Sequence, residues 1–153
     1  MANDTFTVER SLTVHAPPER IFRHLADFHA WTAWSPWEDL DPDLQRSYSG
    51  PASGVGAGYA WSGNRRAGQG SMQITSSTPE EIGIDLSFLK PWRATNDVRF
   101  TLAPDGSVTA VTWRMTGDRG GVMGLLAKVV PMDRMIGRDF ERGLARLKAL
   151  AES

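Results

Sequence analysis

Arg10, Tyr59 and Asn96 each fall on the apolar side of a stretch that alternates with a period of two, where a hydrocarbon side chain would be expected. A guanidinium, a phenol and a carboxamide are groups that can polarise a carbonyl oxygen or hold the polar end of a buried molecule. Buried polar groups need partners, so these residues either anchor a ligand or are tied into the fold. A β-bulge at Arg10 would turn it outward instead. Ser71 or Thr75 would join the set if their strand slipped by one residue. None of these residues forms a recognisable acid–base pair, and the sequence assigns no catalytic residue.

Other chemistry is harder to build. The three histidines are His15, His24 and His29, and the latter two are five apart, off the i, i+4 spacing of a shared helical ligand pair. Cysteine is absent, which removes thiolate metal sites, disulfides and cysteine nucleophiles together. Asp39, Asp41 and Asp43 alternate around Pro42 but lack the glycine and closing glutamate of a calcium loop. The segment GVGAGY has the glycines of a dinucleotide fingerprint but is followed by a strand pattern, where that fingerprint requires a helix. It reads as a turn. Neither a metal nor a cofactor is expected.

The elements that must position these residues come from periodicity. Residues 5–15 alternate as a strand, and APPERIFRHLADF opens a helix with prolines and an early glutamate. A short second helix carries Phe28, Trp31 and Trp34. From residue 44 the period becomes two. LQRSYSG, GYAWSGN, GQGSMQITSSTP, EEIGIDLSFLK, WRATNDVRFTLA and SVTAVTWRMTGD follow as strands joined by short turns, an antiparallel meander. The chain closes with a long amphipathic helix whose apolar face is Ile136, Phe140, Leu144 and Leu147. Gly143 within it disfavours helix by roughly 1 kcal/mol, which implies close packing on the sheet. A sheet covered by one helix on one face is α+β.

Length and charge bound the rest. At 153 residues the chain suits a single domain spanning residues 1–153. With 17 basic against 18 acidic residues, nothing draws it toward nucleic acid or an anionic membrane surface. No apolar h-region or membrane-length apolar run is present, so a cytoplasmic monomer or weak homodimer is expected, without stable membrane insertion.

The segment WTAWSPW places three of the six tryptophans in seven positions. Trp61, Trp92 and Trp113 each fall on the apolar side of a strand. Indoles aimed at one space either line a pocket or fill a core.

The pieces LTVHAPPERIFRHLADFHAWTAW, YSGPASGVGAGYAWSG, VTAVTWRM and GRDFERGLARLK, in this order, resemble the START-like, pollen-allergen-like helix-grip superfamily (SRPBCC). Within it they look closest to the polyketide cyclase/dehydrase and lipid transport branch, over about residues 5–150. The resemblance implies a curved antiparallel sheet of about seven strands wrapped around the C-terminal helix, with two short helices after the first strand. It also implies a hydrophobic cavity between sheet and helix. Its ligand-binding wall is then expected from Trp31 and Trp34 after the first helix, and from Arg10 on the first strand. The meander would add Tyr59, Trp61, Phe88, Trp92, Asn96, Phe100, Trp113 and Met115, and the long helix Ile136 and Phe140.

The function this implies is binding or transport of a small hydrophobic ligand, lipid-like, aromatic or polyketide-like. Two alternatives stay open: a cyclase or dehydratase acting on a polyketide chain, and a protein-partner module with a collapsed cavity. Arg65, Arg66, Lys90, Arg93 and Arg119 fall in loops at one end of the meander. As solvated tips they resist edge pairing; as a rim they would attract a ligand carrying an acidic group.

Overall fold

In the computed structural model the period-two stretches form one antiparallel sheet of seven strands. The residues described are 5–38, 40–65, 67–90, 93–118 and 132–153. The strands are β1 (Thr5–Val14), β2 (Gln45–Ser49), β3 (Gly58–Ser62), β4 (Gln69–Thr78), β5 (Glu81–Lys90), β6 (Ala94–Asp105) and β7 (Val108–Asp118). Their spatial order is β1-β7-β6-β5-β4-β3-β2, so the meander runs outward from β7 and β1 adds to its inner edge. Asp39, Arg66, Trp92 and Arg119 lie outside the described residues.

Helix α1 (Pro18–Leu25) begins where proline suits the first turn, carries Glu19 there, and buries Ile21 and Leu25. The expected second helix is a tight 3-10 helix, Phe28–Ala33, and Trp34 stands just past its end. Asp27 starts it by accepting the backbone N–H of His29 at 2.9 Å. The paired tryptophans have a structural use here. Trp31 Nε1 donates to the carbonyl of Leu25, and Trp34 Nε1 to that of His24, both at 3.0 Å. The last carbonyls of a helix have no partner within it, so the two indoles complete the end of α1.

Helix α2 (Met132–Glu152) lays Phe140, Leu144, Leu147 and Ala151 on the inner face of the sheet, all buried. Gly143 makes this approach possible. A Cβ there would stand 2.9 Å from Trp113 Cζ3 and 3.0 Å from Pro36 Cδ, tighter than ordinary contact. The inner face itself reads as the alternation predicted. Ile82, Ile84 and Leu86 on β5, Val98, Phe100 and Leu102 on β6, and Val111, Trp113 and Met115 on β7 are all buried. The GVGAGY segment is a turn leading into β3, with Gly54 and Gly56 at φ 79° and 95°, where a side chain would be strained. The class is α+β.

Candidate functional site

The layer between sheet and helix is not uniformly filled. Toward β3–β6 and the first turns of α2 it opens into a cavity of about 320 Å³, within the range of small-molecule sites, roughly 300–1,000 Å³. Seven of the residues expected from the sequence meet there: Trp31, Tyr59, Trp61, Phe88, Asn96, Met115 and Ile136. Each strand presents its inward register, and the Trp61 ring reaches over Gly70 of β4. A Cβ at Gly70 would stand 2.6 Å from Trp61 Cη2, so the glycine leaves room for the ring. Trp61 Nε1 donates to the carbonyl of Ala67 at 2.8 Å, which fixes the indole on the wall.

Four expected residues take a different place. Trp34, Phe100, Trp113 and Phe140 line no part of the cavity and are almost wholly buried in a packed aromatic cluster beside it. Trp113 stacks on Phe140 with centroids 4.0 Å apart and planes 7° from parallel. Phe100 is 4.9 Å and Trp34 5.5 Å from the same indole. These rings face the side that alternation assigns, but α2 presses onto them and leaves no space. Ser71 and Thr75 are exposed, because the β4 register keeps Met72 and Ile74 inward despite irregularities at Gln69/Gly70 and Ile74/Ser76.

Arg10 also lies away from the cavity. Its Nε donates to Glu141 Oε2 at 3.0 Å and its Nη2 to Asp133 Oδ2 at 3.1 Å. Those hydrogen bonds, Asp133 first and then Glu141, raise its pKa. Asp133, Gly137 and Glu141 fall four apart on one stripe of α2. A Cβ at Gly137 would come 2.1 Å from Arg10 Nη2, so the guanidinium lies across a helix position that has no side chain. No bulge is needed: Arg10 is on the inner face and is satisfied by the helix.

The segment after the 3-10 helix supplies wall residues that no periodic pattern marks, Ser35, Trp37, Glu38 and Leu40, and Leu44, expected to open a strand, lines the wall just before β2. Only the broken tryptophan cluster hinted at them. Phe6, Met72, Leu86 and Ala94 on strands, Ala67 before β4 and Asp139 on α2 complete the wall.

Its polar groups are few and mostly engaged. Tyr59 Oη donates to Glu38 Oε2 at 3.3 Å, and Arg46 Nε to Glu38 Oε1 at 2.9 Å. Burial, then the Glu38 carboxylate, push the Tyr59 phenol well above its ordinary value of 10.0. Trp37 Nε1 donates to Asp139 Oδ2 at 3.1 Å, and Arg142 pairs with the other oxygen. The Asn96 carboxamide makes no hydrogen bond with another described residue, although the residue is 4% exposed.

Register places the β3–β4 and β5–β6 connections at one end of the sheet, the end where Ala67, Phe88 and Ala94 line the cavity. Arg65, Lys90 and Arg93 are exposed there. Among the described residues no group of three or more His, Asp or Glu could hold a metal ion, and no helix is long and apolar enough to cross a membrane.

Comparison with known proteins gives this geometry a context. Residues 5–152 match the family model described as polyketide cyclase/dehydrase and lipid transport. Among solved structures, protein CV1439 from Chromobacterium violaceum is similar at 19% identity and TM-score 0.67, covering 96% of this chain and 98% of that one. The Aha1 dimer from Colwellia psychrerythraea is similar at 19% identity and TM-score 0.65, with 96% of each chain covered. The di-domain ARO/CYC BexL from the BE-7585A biosynthetic pathway is similar at 12% identity and TM-score 0.68, over 99% of this chain and 52% of that one. At these identities the likeness is one of fold. No curated protein matches the chain.

Proposed function

Since the chain belongs to the polyketide cyclase/dehydrase and lipid transport family, we propose that it binds a small hydrophobic molecule, lipid-like, aromatic or polyketide-like, in the cavity beneath α2. The observation that carries this reading is a cavity of about 320 Å³ walled by Trp31, Trp61, Phe88, Met115 and Ile136. Apolar surface entering such a space leaves water at about 25 cal/mol per Å². An apolar fluorescent probe is expected to bind with a dissociation constant on the order of micromolar and to change tryptophan emission. Met115→Trp puts an indole where a thioether stands, and is expected to weaken the probe at least about tenfold with the fold intact by circular dichroism. Unchanged affinity in a folded Met115→Trp protein would place the probe elsewhere and overturn the reading.

A second reading, a cyclase or dehydratase, is favoured by one specific pair. Tyr59 and Glu38 are hydrogen-bonded at 3.3 Å on the cavity wall. The carboxylate would take a proton from carbon between two carbonyls, the resulting enolate would attack a second carbonyl, and the phenol would donate to the developing alkoxide. Deuterium exchange at the central carbon of a 1,3-diketone, followed by NMR, tests that first step. Exchange that Glu38→Gln reduces to the solvent rate supports the enzyme; a wild-type rate equal to solvent leaves binding alone. The partner-module alternative expected a collapsed interior, and no observation favours it over the open cavity.

A further inference from the structure

The polar groups of the cavity wall are unevenly engaged, and this bears on the charge of what enters. Among the described residues the wall carries two carboxylates, Glu38 and Asp139, and no basic side chain. Each carboxylate already has a cation, Arg46 for Glu38 and Arg142 for Asp139, and each also accepts from a wall aromatic, Tyr59 or Trp37. Both arginines are thus already committed to a carboxylate, and neither stands free to receive a second anion.

Asn96 differs. It stands on β6 with its register partners Leu86 on β5 and Gly117 on β7. It lines the cavity, is nine-tenths or more buried, and makes no side-chain hydrogen bond with a described residue. A Cβ at Gly117 would stand 2.1 Å from Asn96 Oδ1 and 2.7 Å from Phe6 Cε1. The neighbouring strand thus forgoes a side chain where the carboxamide is seated. The carboxamide therefore turns its donor and acceptor to the cavity and not to a described protein partner, and a ligand group that offers both an acceptor and a donor would take the place of water there.

We infer that the cavity takes an uncharged hydrophobic molecule that turns a hydroxyl or phenol toward Asn96, and that it rejects the same skeleton carrying a carboxylate. This rests on the binding reading above and adds to it the charge and polar group of the ligand. A carboxylate entering the cavity would lose its hydration beside two acidic residues, with no described cation on the wall to replace it. The exposed Arg65, Lys90 and Arg93 do not alter this. In solvent their charges are screened, so they can draw an acid toward that end of the sheet without carrying it inside.

Displacement of a bound apolar fluorescent probe by naphthalene, 2-naphthol and 2-naphthoate at neutral pH, in low and high salt, tests the inference. The naphthol is expected to displace the probe at roughly tenfold lower concentration than either naphthalene or naphthoate. Asn96→Leu is expected to abolish the advantage over naphthalene, read as the ratio of the two affinities within the variant. Should Asn96→Leu fail to fold, acidification of the wild type supplies the second measurement. Naphthoate affinity is expected to rise as pH falls through the acid's own pKa, about 4, while that of naphthalene stays level. Naphthoate equal to naphthol in high salt, an unchanged naphthol advantage in Asn96→Leu, or naphthoate affinity that ignores pH would each overturn the inference while the cavity reading stands. Failure of all three compounds and of the probe itself to bind would overturn the cavity reading instead.

Discussion

Two halves of one aromatic layer, on the same face of one sheet, are built from the same residue types and end in opposite states. Around Trp113 the rings stack face to face and edge to face, with Phe140 4.0 Å away and nothing left between helix and strands. Around Trp61 the rings also touch, Phe88 edge-on at 5.7 Å and Tyr59 stacked at 6.1 Å, but all three line the cavity. Hydrophobic content does not separate the two. The position of the glycines does. On the helix, Gly143 removes the side chain that would hold α2 off Trp113, and the layers close. On the strands, Gly70 and Gly117 remove side chains beneath Trp61 and beside Asn96, and those groups settle against the sheet. The same small residue closes the gap from one side and preserves it from the other.

Truncation of an aromatic in each half is the strongest way to break that comparison. Trp113→Ala is expected to lower stability by about 3–5 kcal/mol in chemical denaturation, because a closed cluster cannot collapse around the loss. Phe88→Ala, half-buried and already facing open space, is expected to lose less than about 2 kcal/mol and to weaken probe binding instead. Equal losses from the two would show that the halves are packed alike.

Added bulk reads the same difference at smaller amplitude. Gly143→Ala gains roughly 1 kcal/mol of helix propensity but forces contacts at 2.9 and 3.0 Å, and overpacking typically costs about 1–3 kcal/mol. A net loss of up to about 2 kcal/mol is expected. Ala94→Leu in the hollow half is expected to leave stability within about 1 kcal/mol and to lower probe affinity, since it grows into free volume. A destabilisation by Ala94→Leu matching that of Gly143→Ala would contradict the assignment.

The smallest effect sharpens the comparison through pH. Tyr59 belongs to the hollow side, and its folded pKa is raised above 10.0 by burial and then Glu38. Below that pH the phenol is protonated in both states and its contribution is complete. Above it the unfolded chain releases the proton first, so stability falls as pH rises. Tyr59→Phe is expected to flatten this alkaline limb in denaturation curves recorded above pH 10.0 and to leave the neutral range parallel to wild type. An unchanged limb would assign the alkaline loss to other groups.

Periodicity made the strands, the face each residue occupies and the apolar stripe of α2 legible in the sequence, because alternation and helical spacing are local properties. It could not reveal depth. Trp61 and Trp113 carry the same signal in their strands, and only the height of α2 above each decides which of them meets open space. Arg10 shows the same limit: its inward register was readable, but its partners Asp133 and Glu141 lie more than a hundred residues away. Trp37, Glu38 and Leu40 were missed for another reason. They lie in a segment without period, where Pro36 and successive turns, not a repeating pattern, set the direction of each side chain.

The clamp on Arg10 has a mechanical consequence. Toward its start α2 is secured by a guanidinium between two exposed carboxylates, and toward its middle by stacked rings. Added salt loosens the first attachment, as the Debye length shrinks from about 10 Å at 0.1 M to about 3 Å at 1 M. It leaves the second intact, and strongly hydrated salts tighten it. The ionic clamp spans Asp133 to Glu141, so Ile136 and Asp139, which line the cavity, lie within the stretch of α2 whose hold on the sheet depends on salt.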